Sequence, residues 1–235
     1  PVFELTGEEI RALADASEAD WQFIEPSILG TLFERALDVD QRAQLGAHYT
    51  SKADIETLVE PVLMAPLRRE WKALKKELAG DYTRGKGTPA AKKKIEAFLK
   101  QVRSTVVLDP ACGSGNFLYV ALQKLLGLEK DVLAYAQQLD FTGLKPGVSV
   151  QQLRAIEINP YAYELAQVAV QIGYLQWLRD NGFALDRDPV LQELEGFDHS
   201  DALMRDVFKR KPKDLKEARK DEHEKDAGEK GFVER

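Results

Sequence analysis

The sequence predicts an α/β fold: a partial parallel sheet with flanking helices, preceded by a helical N-terminal region. Three observations point there. Apolar residues recur at helical spacing up to about residue 102. From residue 105 the pattern changes to strand, helix, strand, helix. That alternation builds a parallel sheet covered on both faces, with ligands bound outside the carboxyl ends of its strands. Finally, the first of these strands breaks directly into the glycine-rich turn of "LDPACGSGNF", residues 108–117.

Each element has a local signature. Residues 6–38 read as helical, with Thr6 as N-cap and Ile28, Leu29, Leu32, Phe33 and Leu37 as one apolar stripe; residues 40–50 read as a loop. Ser51 followed by Asp54 resembles a capping box with Asp in the Glu position, opening a helix marked by Ile55, Leu58, Val59, Val62 and Leu63. The next helix carries Leu67, Trp71, Leu74 and Leu78 and ends at Gly80. "DYTRGKGTP" is a turn-rich connector, and Pro89 takes a favoured first-helical position in a helix running to about Val102. A buried strand follows at 105–109, then a helix at 116–126, an inserted loop "GLKPGVSVQQL", a strand at 153–158 and a long helix at 160–178. The expected division is a helical lead-in over 1–50, a helical basic segment over 51–103, an α/β core over 104–204, and a charged tail or insertion over 205–235 with the composition of a solvated or disordered segment.

Composition narrows the function. At 235 residues and 44% hydrophobic content the chain can bury a real core. No apolar run approaches the roughly 18 residues that span a bilayer, and no basic-then-apolar leader opens it, so a soluble, cytoplasmic, membrane-free protein is expected. The single cysteine, Cys112, excludes an internal disulfide and a cysteine-cluster metal site. Three scattered histidines offer no ligand spacing, so no metal is expected. Pro1 in place of methionine suggests a piece of something longer or a processed terminus. A net charge of −6 argues against a protein that coats nucleic acid through a general positive field. The charge is uneven, however: residues 68–103 hold twelve Lys or Arg against four acids, +8 locally and therefore −14 elsewhere. That segment can face phosphates, although a solvated helical face is the commoner explanation of such a run.

The glycine turn is the candidate site. Gly113 and Gly115 permit a tight turn and close approach to a ligand, and the helix behind them presents unpaired N–H groups. A dinucleotide fingerprint would want a third glycine where Leu118 stands. Asp109, aimed into the turn, would oppose a phosphate but welcome a cation, which S-adenosylmethionine supplies through its ammonium and sulfonium groups. Glu157, ending the second strand, can accept hydrogen bonds from both ribose hydroxyls. In "FDHSDALM", Asp201 stands where a third strand would end, able to accept from the adenine amino group, with the N–H groups near Ala202 and Leu203 for a ring nitrogen.

These residues resemble the amino-group DNA methyltransferases, especially the large adenine-specific enzymes of restriction-modification and phage-defence systems, over residues 21–204. "DPACGSGNFL" looks like their first cofactor motif, "IEINPYAYELA" like the second and "SDALM" like the third. "LGAHYTS" at 45–51 resembles the segment that closes over the methionine part of the cofactor, and "WQFIEPSILGTLFERALD" the helical lead-in. The resemblance implies a Rossmann-like S-adenosylmethionine-dependent methyltransferase core. It implies cofactor contacts from Tyr49, Thr50, Asp109, Pro110, Ala111, Gly113, Gly115, Asn116, Phe117, Glu157, Ile158, Asp201, Ala202 and Leu203. It further implies methyl transfer to N6 of adenine in DNA bound by the full-length protein.

One departure stands against the match: the family's catalytic Asn or Asp, two prolines and an aromatic residue occur nowhere in the sequence. "NPY" at 159–161 has one proline too few and sits at a helix start, where Asn159 caps and Pro160 begins the helix. No catalytic residue is therefore assigned, and His48 receives no such role. The expectation is a cofactor-binding portion completed by a missing C-terminal catalytic and target-recognition part or by a partner subunit. Such a chain alone would be inactive, with an open sheet edge and an incomplete core. The alternatives are a non-catalytic cofactor-binding or scaffold module of a defence complex, and a methyltransferase acting on RNA or protein.

Overall fold

The computed structural model describes residues 4–18, 25–26, 28, 30, 50–79, 82–83, 86–183 and 194–203. Tyr49, His48, most of the expected lead-in with Leu29, Leu32, Phe33 and Leu37, and the charged tail lie outside the described residues.

Local capping chemistry decides where the helices begin. Helix α1, Gly7–Glu18, opens on a reciprocal box in which Glu9 N–H donates to Thr6 Oγ1 at 3.3 Å and Thr6 N–H to Glu9 Oε2 at 2.7 Å. Helix α2, Lys52–Val59, starts at Ser51, whose hydroxyl oxygen accepts from Asp54 N–H. The Asp54 carboxylate accepts from the Ser51 hydroxyl at 2.6 Å rather than closing the box on the backbone. A π turn, Glu60–Met64, with Pro61 at its start, leads into α3, Ala65–Leu78. The turn-rich connector holds a small antiparallel hairpin, β1 (Tyr82–Thr83) with β2 (Lys86–Gly87). Helix α4, Pro89–Ser104, has Thr88 as its cap and proline in its first turn.

The sheet follows: β3 (Val107–Asp109), β4 (Leu153–Glu157) and β5 (Phe197–His199), parallel and in the order β3-β4-β5. Helix α5, Asn116–Gln138, joins the first two, and α6, Pro160–Asp180, joins the last two. Several extents differ from the sequence reading: the region read as helical over 6–38 is interrupted at Glu25 and Pro26, β4 ends at Glu157 rather than 158, and α6 runs to Asp180 rather than 178. The first strand is shorter than 105–109 because α4 runs to Ser104 and Thr105 is its C-cap. The helix read as 116–126 continues to Gln138, since Leu128, Val132 and Ala136 keep returning to the core.

One core cluster runs from Ile55 to Phe197, so the helices before the sheet and the sheet itself bury a common interior. Trp71 of α3 is sandwiched there, stacked on Phe98 and edge-on to Tyr135, both at 5.4 Å between ring centroids. Covering of both sheet faces is not what β3 shows. Val107 packs on the core, while Val106 and Leu108 are each 56% exposed. Right-handed crossovers that step the same way across a sheet place their helices on one face. Helices α5 and α6 pack side by side, α5 against β3 and α6 against β4 and β5. The result is a partial Rossmann-like α/β core behind a helical region.

Candidate functional site

The turn after β3 is assembled from both sides. Asp109 Oδ1 accepts from Ala111 N–H at 3.1 Å, and Cys112 N–H donates to Ile156 O at 3.1 Å, tying the turn to β4. Gly113 and Gly115 adopt φ of 53° and 82°, the left-handed region a side chain disfavours. Gly115 has a second constraint, because a Cβ there would lie 3.0 to 3.3 Å from Cβ, Cα and O of Ala166 on α6. Nothing lies within 4 Å of a Cβ built at Gly113. Gly115→Ala is therefore expected to cost about 2 kcal/mol or more and Gly113→Ala about 1 kcal/mol. Urea denaturation reads the difference, and equal costs would mean that α6 does not press on the turn.

Glu157 joins the turn to the end of β4. Its Oε2 accepts from Gly113 N–H and its Oε1 from Asn159 N–H, both at 2.8 Å, and only 9% of the residue stays exposed. An ionised carboxylate has about four acceptor sites, so two remain after both backbone bonds are made. Burial lifts the Asp109 carboxyl above its ordinary range; the Ala111 N–H opposes this, and the negative Glu157 adds to it. The same neighbourhood pushes the Cys112 thiol up, through burial first and then Asp109 and Glu157, so Cys112 is no thiolate nucleophile.

The third acid follows the third strand. Ser200 N–H donates to Glu157 O at 3.1 Å, which sets the chain leading to Asp201 against the end of β4. Asp201 Oδ1 accepts from Leu203 N–H at 2.8 Å, so the donor expected for a ring nitrogen is engaged within its own turn. Ile158 and Leu203 keep 58% and 90% of their surface exposed beside these acids.

A shallow cleft, open to solvent, lies at the start of α5, lined by Glu25, Thr50, Lys52, Ile55, Asn116, Tyr119 and Val120. Thr50 and Asn116, both singled out from the sequence, meet here. Asn116 is buried, and its Oδ1 has no hydrogen-bond partner among the described residues. Such an orphaned acceptor is costly unless a ligand or water satisfies it. Glu25 and Lys52, which pair at 3.3 Å, and Tyr119 were not evident from the sequence. Burial, then the carboxylates of Glu25 and Asp180, push the Tyr119 hydroxyl up to about 12. Asn159 Oδ1 accepts from Tyr161 and Ala162 N–H at 2.9 and 3.2 Å and so caps α6, the structural role read from "NPY". Among the described residues no cluster of His, Cys, Asp or Glu could hold a metal ion, and no helix is long and apolar enough to cross a membrane.

The chain is similar to known proteins. DNA methyltransferase A of Bacillus subtilis is 29% identical over 154 residues, covering 65% of this chain and 16% of that protein. A putative type II restriction enzyme and methyltransferase of Methanocaldococcus jannaschii is 26% identical over 167 residues, covering 65% of this chain and 14% of the relative. In structure, the type IIL restriction-modification enzyme MmeI, solved in complex with DNA, superposes with a TM-score of 0.70 at 30% identity, over 88% of this chain and 27% of that one. The chain thus spans well under a third of each of these proteins. The model of the MmeI DNA-methyltransferase domain matches residues 86–205, just over half the chain and the whole of the glycine turn and strand ends. The chain belongs to the MmeI DNA-methyltransferase domain family.

Proposed function

We propose that this chain is the cofactor-binding portion of a site-specific DNA methyltransferase, which takes a methyl group from S-adenosylmethionine to N6 of adenine. The observation that carries this reading is the row of three carboxylates, Asp109, Glu157 and Asp201, at or just beyond the carboxyl ends of three adjacent parallel strands. The residues suit the cofactor in charge and hydrogen-bonding capacity. Asp109 offers a counter-charge for the cationic methionine end, and the buried Asn116 Oδ1 seeks a donor on the side where Thr50 lies. Glu157 has two acceptor sites left for ribose hydroxyls, Asp201 can accept from the adenine amino group, and Ile158 and Leu203 present apolar surface to the ring. Pro110, Ala111, Gly113, Gly115, Phe117 and Ala202 shape the wall around it, and Tyr49 joins by its place beside Thr50.

S-adenosylmethionine, when bound, supplies the reactive methyl group on its sulfonium. The protein's work in this chain is to hold and orient, and proximity of that kind accounts for much of the acceleration in a direct transfer. The target adenine would be rotated out of the duplex to meet it. Because the sequence lacks the Asn-Pro-Pro-aromatic motif, the group that accepts from the adenine amino nitrogen comes from another part of a longer protein or from a partner subunit, as does the reading of the DNA site.

Calorimetric titration of S-adenosylmethionine tests this reading. The unaltered chain is expected to bind, and Asp201→Ala to bind roughly tenfold more weakly, the loss of one hydrogen bond to a charged acceptor. Equal affinities would remove the adenine contact, and no binding by the unaltered chain would overturn the reading. Nucleoside analysis of DNA treated with the complete enzyme separates N6-methyladenine from methylcytosine products.

A further inference from the structure

Helix α3 sorts its side chains into three faces. Leu67, Trp71 and Leu78 are buried. The two acids turn toward α4: Glu70 accepts from Gln101 Nε2 at 2.6 Å, and Glu77 pairs with Lys94 at 2.9 Å. What remains outward is cationic. Arg68, Arg69, Lys72, Lys75 and Lys76 are all exposed, and at about 100° per residue they fill an arc of roughly 120° that holds no acid. A solvated helix is ordinarily steadied by opposite charges at i,i+4, whereas Arg68, Lys72 and Lys76 form a like-charged ladder at that spacing. Arg68 reaches Glu60 at 2.8 Å and Lys75 lies 5.4 Å from the centre of the Trp71 ring. Lys72 and Lys76 have no partner among the described residues. No large apolar side chain of α3 is exposed to anchor a protein interface, which normally has an apolar centre.

The stripe is remote from the cofactor turn. Trp71 packs on Tyr135, whereas the turn meets α5 at Asn116, a separation of roughly 28 Å along the helix axis. Over the ~12 Å from Arg68 to Lys76, duplex DNA carries about seven phosphates. We propose that the outer face of α3 holds the phosphate backbone of duplex DNA flanking the modified base, about eight base pairs away along the helix at ~3.4 Å per pair. This rests on the methyltransferase reading above and adds to it a sequence-independent contact outside the site.

The test is a triple variant, Arg69→Gln, Lys72→Gln and Lys76→Gln, measured by fluorescence anisotropy with duplexes of about 30 and about 10 base pairs between about 50 and 200 mM KCl. The unaltered protein is expected to prefer the long duplex. The variant should lose that preference, its slope of log affinity against log salt on the long duplex falling by about 2 to 3, near 0.9 per phosphate released. Binding of the short duplex should not change. Equal slopes for variant and parent on the long duplex would overturn the proposal. So would equal losses at both lengths, no length preference in the parent, or polyglutamate binding the stripe as tightly as duplex. S-adenosylmethionine titration of the same samples keeps the two ideas apart. Undiminished long-duplex binding with normal cofactor affinity sinks the stripe alone, while absent cofactor affinity in the parent sinks the reading of the site.

Discussion

Replacing Arg103 by Met is expected to destabilise the protein by about 3–5 kcal/mol, the cost of leaving a buried charge without its partner. That charge is Glu129, in the middle of α5 and only 1% exposed. It accepts from Arg103 Nε at 2.5 Å, from Gly147 N–H at 2.9 Å and from Val148 N–H at 2.9 Å, while the same guanidinium donates to Lys145 O. One carboxylate thereby fastens α4, α5 and the loop before β4 to one another. The loop is held as well by Val148, buried in the core, and by Gln152, whose amide donates to Val102 and Thr105 carbonyls at 2.9 and 2.8 Å. An isolated buried ion pair can often be exchanged for two apolar side chains at no loss. Here the double change Arg103→Met with Glu129→Met should not restore stability, because it orphans the Gly147 and Val148 N–H groups, each worth about 1–3 kcal/mol when buried and unpaired. Urea midpoints of the parent, both single variants and the double variant settle it. A double variant as stable as the parent would show that the carboxylate serves the arginine only.

What could be read from the sequence was local. Thr6, Ser51 and Asn159 cap helices because the capping bond closes within three residues, so the signal and its partner share one short stretch. The glycine turn was legible for the same reason. Helix α5 continues past Leu126 through Gly127, because the neighbours Leu126 and Leu128 are both buried and burial outweighs the roughly 1 kcal/mol that glycine costs in a helix. Contacts made across long separations left no such trace. The bond from Gly113 to Glu157 crosses 44 residues, and the Arg103–Lys145 and Gln152–Thr105 bonds that fix the inserted loop cross 42 and 47. The net charge of 68–103 was visible in composition, but the bonds that turn Glu70 and Glu77 toward α4 depend on where that helix lies.

Glu157→Ala is expected to weaken S-adenosylmethionine binding by at least about 100-fold, since two hydrogen bonds from ribose hydroxyls to a carboxylate are together worth about 3–6 kcal/mol. The structure gives this residue a second task that a simple affinity loss cannot separate from the first. Glu157 holds Gly113 N–H and Asn159 N–H, so its removal also frees the turn that shapes the site and the entry to α6. A double-mutant cycle on the ligand separates the two. The parent should discriminate against a 2′-deoxyribose form of the cofactor product, S-adenosylhomocysteine, by roughly tenfold or more, the worth of one such bond. If the carboxylate touches the ribose, Glu157→Ala should bind the ribose and 2′-deoxyribose forms with nearly the same affinity, both weakly. If the carboxylate only braces the turn, the variant should lose affinity for both forms by an equal factor and keep the parent's discrimination. That second pattern would move the ribose contact off β4 and leave Asp109 and Asp201 without the acid between them, on which the row of strand-end carboxylates depends.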